Sequence, residues 1–382
     1  MAEKRGKHTQ CLHEGGMSDE QFGSIISPIY MGTSYPFSDT DKKRYPRYFN
    51  TPNQEVISKK LAALENTEWA LPFSSGMAAI STSLLTFLKS GDHVVFQNEI
   101  YGGSHHLVEM EFDKYGIEYS FSKGLEISDF EREIRDNTKV IYIETPSNPL
   151  LSLTDIQGIA RLADKYGLIS MIDNTFASPI NQTPLDFGID LSIHSATKYL
   201  SGHSDISAGI VAGKRSLVEQ VMYKGRNFGG NLSDFMCYLL ERSIKTLALR
   251  IEKHNENASF VAEALSGNSK IEKVFYPGLT SHANHELARK QMHGFGGMLS
   301  FELNSTVSAK DFLSQLSLIR PAMSLGGIES TIILPCQTSH ALLSPEERLN
   351  QGISDNLLRL SVGLEDKEDI LSDIEQALNM QP

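Results

Sequence analysis

The sequence predicts an α/β protein with a mostly parallel sheet in a large domain, followed by a smaller α+β domain. Three observations predict it. Between about residues 54 and 211, short apolar runs of strand length alternate with helical stretches of roughly ten to fifteen residues, the pattern of βαβ units. Polar clusters follow several of those runs directly, at 144–148, 173–175 and 195–198. Beyond about residue 266 the order changes to strands with fewer, separate helices.

Taken in order, residues 1–50 are rich in Gly, Ser, Thr, Tyr and Pro and carry no clean period. An irregular arm this long is uncommon inside a compact domain, so it is expected to drape over this chain or a partner subunit. Val56, Ile57, Leu61 and Leu64 fall on one face of a predicted helix over 54–65. Ser75-Gly76-Met77 opens another helix over 78–88, stopped by Ser90-Gly91. Strands are predicted at 93–96 and 138–143, the latter running into the turn Glu144-Thr145-Pro146-Ser147-Asn148-Pro149. A helix over 155–166 closes at Gly167, and strands follow at 168–172, 190–194 and 206–211. Residues 233–265 hold neither proline nor internal glycine and predict one long connecting helix. After it, strands are predicted at 273–275, 298–303 and 357–362, with helices at 309–316 and 367–378. The expected divisions are an arm over 1–50, a cofactor-binding domain over 51–245 and a C-terminal α+β domain over 246–382.

Composition excludes several function classes. With 40% hydrophobic and 21% charged residues the chain is an ordinary globular protein rather than a disordered or fibrous one. A net charge of −12 argues against nucleic-acid or anionic-membrane partners, which reward a basic surface. The polar stretch 1–16 does not read as a secretory signal, and no apolar run reaches bilayer-spanning length. Cys11, Cys237 and Cys336 are widely spaced, which suits reduced thiols and a cytoplasmic location. His105 with His106, and His282 with His285, lack a completing carboxylate or thiol, so a helix-surface pair and a capped loop are expected and no metal.

The chemistry concentrates in the run Ser192 to His203. Lys198 follows an apolar strand and sits among Ser195, Thr197 and Ser201, a poor place for a solvated charge. It suits a reactive amine beside a bound phosphate, as a pyridoxal phosphate Schiff base requires. Such a site also needs an anion for the pyridine nitrogen, donors for the phosphate and a flat group against the ring. Asp173, at a strand end, is the candidate anion, since a buried carboxylate is costly unless a cation pairs with it. Gly76 and Met77 at a helix start, with the hydroxyls of Ser195 and Thr197, are the candidate phosphate donors. Tyr101, leading the turn Tyr101-Gly102-Gly103, is the candidate stacking ring. Taken singly, each also reads as a helix cap, a turn residue, a solvated lysine or a packing aromatic. Together they fall at one edge of one sheet.

Eight segments then resemble one family in its own order: SSGMAA at 74–79, YGGS at 101–104, ETPSNP at 144–149, DNTFASP at 173–179, HSATKYLSGHSD at 194–205, YPGLTSH at 276–282, SLGGIES at 324–330 and RLSVGLED at 359–366. The chain is similar to the cystathionine γ-lyase, cystathionine γ-synthase and methionine γ-lyase family of pyridoxal phosphate enzymes. That resemblance implies the fold-type I, aspartate aminotransferase-like architecture and pyridoxal 5'-phosphate as cofactor. It implies that Lys198 carries the cofactor and shuttles protons between substrate carbons. It assigns Asp173 to the pyridine nitrogen, and Tyr101 to ring stacking and the incoming amino group. Gly76, Met77, Ser195 and Thr197 match phosphate contacts. Tyr45 and Arg47 match residues that reach the phosphate of a neighbouring subunit, which implies a homodimer with shared sites and, in the usual family pattern, a tetramer. Arg359, Asn148 and the Ser324 backbone match a clamp for the substrate α-carboxylate, a planar task suited to a guanidinium fork.

The implied reaction is elimination of a thiol from a sulfur amino acid, giving a 2-oxo acid and ammonia. γ-Replacement by an incoming thiol, or a non-catalytic cofactor-binding role, are the alternatives. Three positions depart from the cystathionine-cleaving pattern: Arg44 stands where an acid precedes the arm tyrosine, His106 replaces an arginine, and Met323 replaces a glutamate. The Asn-Pro after the arm arginine is also shifted, to Tyr48-Phe49-Asn50-Thr51-Pro52, and Gly103 replaces the cysteine that methionine γ-lyases often carry. Arg44, Tyr45, His106 and Met323 are therefore the residues expected to meet the far end of the substrate. Met323 offers an apolar, adaptable wall suited to a smaller leaving group.

Overall fold

The structure is a computed structural model that describes residues 5–341 and 344–380. Seven strands form the larger sheet: β1 (Trp69–Phe73), β2 (His93–Phe96), β3 (Glu118–Phe121), β4 (Thr138–Glu144), β5 (Ile169–Asp173), β6 (Leu191–Ser195) and β7 (Gly209–Gly213). Their spatial order is β1-β7-β6-β5-β4-β2-β3. Pairings from β3 through β2, β4 and β5 to β6 are parallel, and only β7 runs against its neighbours. The expected mostly parallel sheet is therefore present, with one reversed strand near an edge.

Burial on both faces explains the uninterrupted apolar runs. Along β4, Val140 and Tyr142 pack in one core with Leu84 and Val218, from the helices Gly76–Phe87 and Arg215–Phe228. Ile141 and Ile143 pack in a second core with Ile156 and Ile159 of the helix Ile156–Tyr166. That helix begins where the Asp155 carboxylate accepts the Gly158 N–H at 3.0 Å and ends at Gly167, in the left-handed conformation (φ 64°).

The second sheet has the order β10-β11-β12-β9-β8, from β8 (Ile271–Phe275), β9 (Met298–Leu303), β10 (Arg320–Pro321), β11 (Thr331–Ile333) and β12 (Leu357–Ser361). Leu299, Phe301, Leu358 and Leu360 cover one face of it against Val261 and Leu265 of the helix Leu247–Ser266, and Ile370 and Ile374 of Lys367–Asn379. These two sheets give the α/β plus smaller α+β arrangement read from the sequence.

Several elements differ from the expectation. The predicted helix over 233–265 is two, Asp234–Ile244 and Leu247–Ser266. At the break the Ser243 carbonyl accepts from the Thr246 N–H (3.3 Å) and the Arg250 guanidinium (3.1 Å), not from Leu247. The break thus falls in a stretch with no proline or glycine to mark it. The arm is not wholly irregular, since Lys7–His13 is helical. Its Cys11 is buried in the main core, and the Cys11 carbonyl accepts from the buried Lys60 ammonium at 2.9 Å. The edge strands β1 and β3, the short strands β10 and β11 and the helix Gly102–Tyr115 carried no period strong enough to predict them.

Arg250 also fixes the loop that carries Lys198. Its buried guanidinium donates to the carbonyls of Tyr199 (2.8 Å) and Leu200 (3.4 Å). Gly202 opposite is left-handed (φ 70°), and a Cβ there would meet Arg250 Nη1 at 2.0 Å. Arg250→Ala strands these buried carbonyls and is expected to cost about 2–4 kcal/mol. A urea unfolding curve whose midpoint stays at the wild-type value would refute that.

Candidate active site

β4, β5 and β6 end side by side, with Glu144 in register with Asp173 and Asp173 with Ile193. Parallel neighbours put their carboxyl ends, and the polar residues there, on one edge, where open α/β sheets hold ligands. Backbone links stitch the edge together. Thr175 Oγ1 accepts the Ser195 N–H at 2.8 Å, the Asp173 carboxylate accepts the Thr175 N–H at 3.0 Å, and Ala208 N–H donates to Thr197 Oγ1 at 3.1 Å.

Above this edge lies a cavity of about 540 Å³. Gly76, Met77, Tyr101, Asp173, Ser195, Thr197 and Lys198 line it, as do His106, Asn148, Met323, Ser324 and Arg359. The lysine and the candidate clamp meet at Ser324: Lys198 Nζ donates to its Oγ at 2.8 Å, and Arg359 Nη2 to its carbonyl at 3.4 Å. Arg359 Nη1 donates to Asn148 Oδ1 at 2.7 Å. Arg359 Nε is buried without a partner, a donor left for a ligand. Ser324 holds a left-handed φ of 83°, costly for a residue with a side chain and concentrated in proteins at ligand clamps.

Electrostatics follow from burial. Desolvation, then the Arg359 charge, pushes Lys198 down to about 8, and desolvation pushes Arg359 down to about 10. Burial raises both Asp173 and Glu144, and the charge of Asp173 raises Glu144 further. Glu144 still holds the site's shape, because its carboxylate accepts the Tyr101 N–H at 2.6 Å where the helix Gly102–Tyr115 begins.

This donor set fits pyridoxal phosphate. Asp173 is a buried carboxylate awaiting a cation, and Lys198 is an amine whose neutral form is accessible. The Gly76 and Met77 amides open a 12-residue helix, and a Cβ on Gly76 would meet Ser195 Cβ at 2.8 Å, so only glycine lets the two phosphate-donor segments approach.

Arg44, Tyr45 and Arg47 do not join this cavity. Arg44 pairs with Glu55 at 3.2 Å, Arg47 donates to the Arg226 carbonyl at 2.7 Å, and Tyr45 is exposed. His105 and His106 are not a plain surface pair. Both line the cavity, and the His105 ring stacks on Phe121 at 4.6 Å. His282 and His285 fit the expected capped loop, with His282 Nδ1 accepting the Asn284 N–H at 3.2 Å. No cluster of three metal-ligating side chains occurs among the described residues, and no described helix is long and apolar enough to cross a membrane.

Sequence reasoning missed Glu144, Thr175, Glu109, Ser339 and His340 as lining residues. Glu144 and Thr175 lay inside the polar strand-end clusters, where the parallel register was the missing signal. Ser339 and His340 follow the short helical turn Pro335–Gln337, and nothing local marks them.

Comparison with known proteins agrees with this geometry. Residues 8–379 match the family of Cys/Met metabolism PLP-dependent enzymes. The chain is 41% identical to cystathionine γ-lyase of Bacillus subtilis over 97% of its length and 99% of that protein's. It is 40% identical to cystathionine β-lyase of Lactococcus lactis subsp. cremoris, over 97% of this chain and 98% of that protein. The crystal structure of cystathionine γ-lyase from Lactobacillus plantarum complexed with L-serine superposes with a TM-score of 0.95 at 37% identity, covering 99% of each chain. The fold is thus the fold-type I architecture of these enzymes, and the chain belongs to the Cys/Met metabolism PLP-dependent enzyme family.

Proposed function

We propose that the protein is a carbon–sulfur lyase that uses pyridoxal 5'-phosphate to eliminate a thiol from a sulfur amino acid, with water then releasing a 2-oxo acid and ammonia. One observation carries the reading: Lys198 Nζ and the Arg359 guanidinium converge on the single residue Ser324. An amine beside a carboxylate clamp selects a substrate whose reacting carbon lies next to a carboxylate, namely an α-amino acid. The lyase names of the relatives above support elimination.

When bound, pyridoxal phosphate supplies the electron sink for a carbanion at the substrate Cα. Lys198 would hold it covalently, Asp173 would face the pyridine nitrogen, and the Gly76 and Met77 amides with Ser195 and Thr197 would hold the phosphate. Arg359 and Asn148 orient the α-carboxylate so that the Cα proton faces Lys198. Once the substrate's own amine has displaced it, the freed Lys198 amine takes that proton and returns it further along the substrate chain. Tyr101 would stack on the ring and, as the phenolate, would take the proton of the incoming ammonium. Tyr45 and Arg47, outside their own chain's cavity, complete the site of a second copy. The exposed apolar arm residues Phe22, Ile25, Met31 and Phe37 support that homo-oligomer.

The test is incubation with cystathionine, methionine and cysteine, assaying 2-oxo acid and thiol. Oxo acid from at least one is expected, and none from any of them overturns the reading. Product analysis with an acylated homoserine, with and without cysteine, identifies a replacement transferase, which shares the first half of the reaction.

A further inference from the structure

One charged group in the cavity has no part in the roles above. The carboxylates among its described lining residues are Asp173, Glu144 and Glu109. Asp173 and Glu144 are buried at neighbouring strand ends, whereas the Glu109 side chain is 51% exposed. Glu109 is also held in place. Its Oε2 lies 3.2 Å from His105 Nδ1, and the His105 ring is fixed by its stack on Phe121. A carboxylate already oriented loses less entropy when a ligand pairs with it.

Its position suits the far end of a substrate. The helix Gly102–Tyr115 starts at Tyr101, which Glu144 fixes at the sheet edge. Eight residues further on, Glu109 lies about 12 Å along the axis, and its side chain leans back toward the helix start. A thioether such as cystathionine spans at most about 7 Å between its two α-carbons. The wall residue Met323, 73% exposed, has no charge to offer a distal head group.

We propose that Glu109 is a specificity-determining residue that receives the ammonium of a substrate whose leaving thiol carries its own amino-acid head group. This rests on the lyase reading above and names its substrate class: dipolar thioethers such as cystathionine over simple alkyl thioethers. The charge that Met323 lacks is supplied from the helix following Tyr101.

The experiment compares kcat/KM for cystathionine and for methionine in the wild-type holoenzyme, Glu109→Gln and Glu109→Ala. Both variants are expected to lose tenfold or more with cystathionine, chiefly through KM, and to stay within about twofold with methionine, as one charge-assisted contact at a partly exposed site implies. Equal loss on both substrates, or no loss on either, overturns the proposal. So does a wild-type enzyme that cleaves methionine but not cystathionine, a result that leaves the lyase reading intact. Absence of oxo acid from every substrate sinks the lyase reading itself.

Discussion

Lys198→Ala is expected to lower 2-oxo acid formation by on the order of 10⁴-fold, because it removes both the proposed covalent anchor and the proposed proton carrier. The fold should survive. Lys198 gives up one side-chain hydrogen bond, to Ser324 at 2.8 Å, so the melting temperature should stay within a few degrees of wild type. Oxo acid formation by the variant at near the wild-type rate would refute the assignment. The burial that pushes Lys198 down to about 8 has its own consequence. An ordinary lysine, near 10.4, is almost wholly protonated at pH 8 and cannot attack an aldehyde. Capture of pyridoxal phosphate by apoprotein should therefore rise with pH through a midpoint near 8. The sign follows from desolvation, which disfavours the charged ammonium. A midpoint above 10 would show that the cavity does not perturb this amine.

Arg359→Ala is expected to cost about 2–5 kcal/mol of substrate binding, or roughly 30- to 4,000-fold in kcat/KM, the range for truncating one partner of a buried charge pair. The effect should fall mainly on KM, since the carboxylate that Arg359 is proposed to hold does not change charge during the reaction. Arg359→Lys should rescue little. A lysine at a bidentate site lacks the planar fork, and here one arm of the fork is already committed to Asn148 at 2.7 Å. Pyridoxal phosphate affinity, measured by equilibrium dialysis, should change little in either variant. A variant that keeps its KM while losing only kcat would remove Arg359 from the clamp.

The large sheet was legible because burial on both faces makes its strands plain apolar runs, as in β4, where Val140 and Ile141 enter opposite cores. The edge strand β3, Glu118 to Phe121, was not, because four residues whose burial does not alternate leave too little pattern. The helix break after Ile244 was hidden for another reason. There Thr246 and Arg250 take the Ser243 carbonyl, hydrogen bonds that no proline or glycine announces. Around the site, Asn148, Asp173 and Lys198 could be found within polar strand-end clusters, although Glu144 and Thr175 of the same clusters were not, and Glu109 and His340 enter the cavity only through the packing of their elements.

By itself, the sequence determined the sheet class, the family resemblance and the lysine, carboxylate and glycine that a phosphate-bearing aldehyde cofactor requires, because each is encoded in a contiguous motif. Only the tertiary structure decided that Glu144 anchors Tyr101, that Lys198 and Arg359 share Ser324, and that Glu109 lines the same cavity. Those relations join residues 43, 126, 35 and more positions apart, a separation that only strand register and helix packing can close.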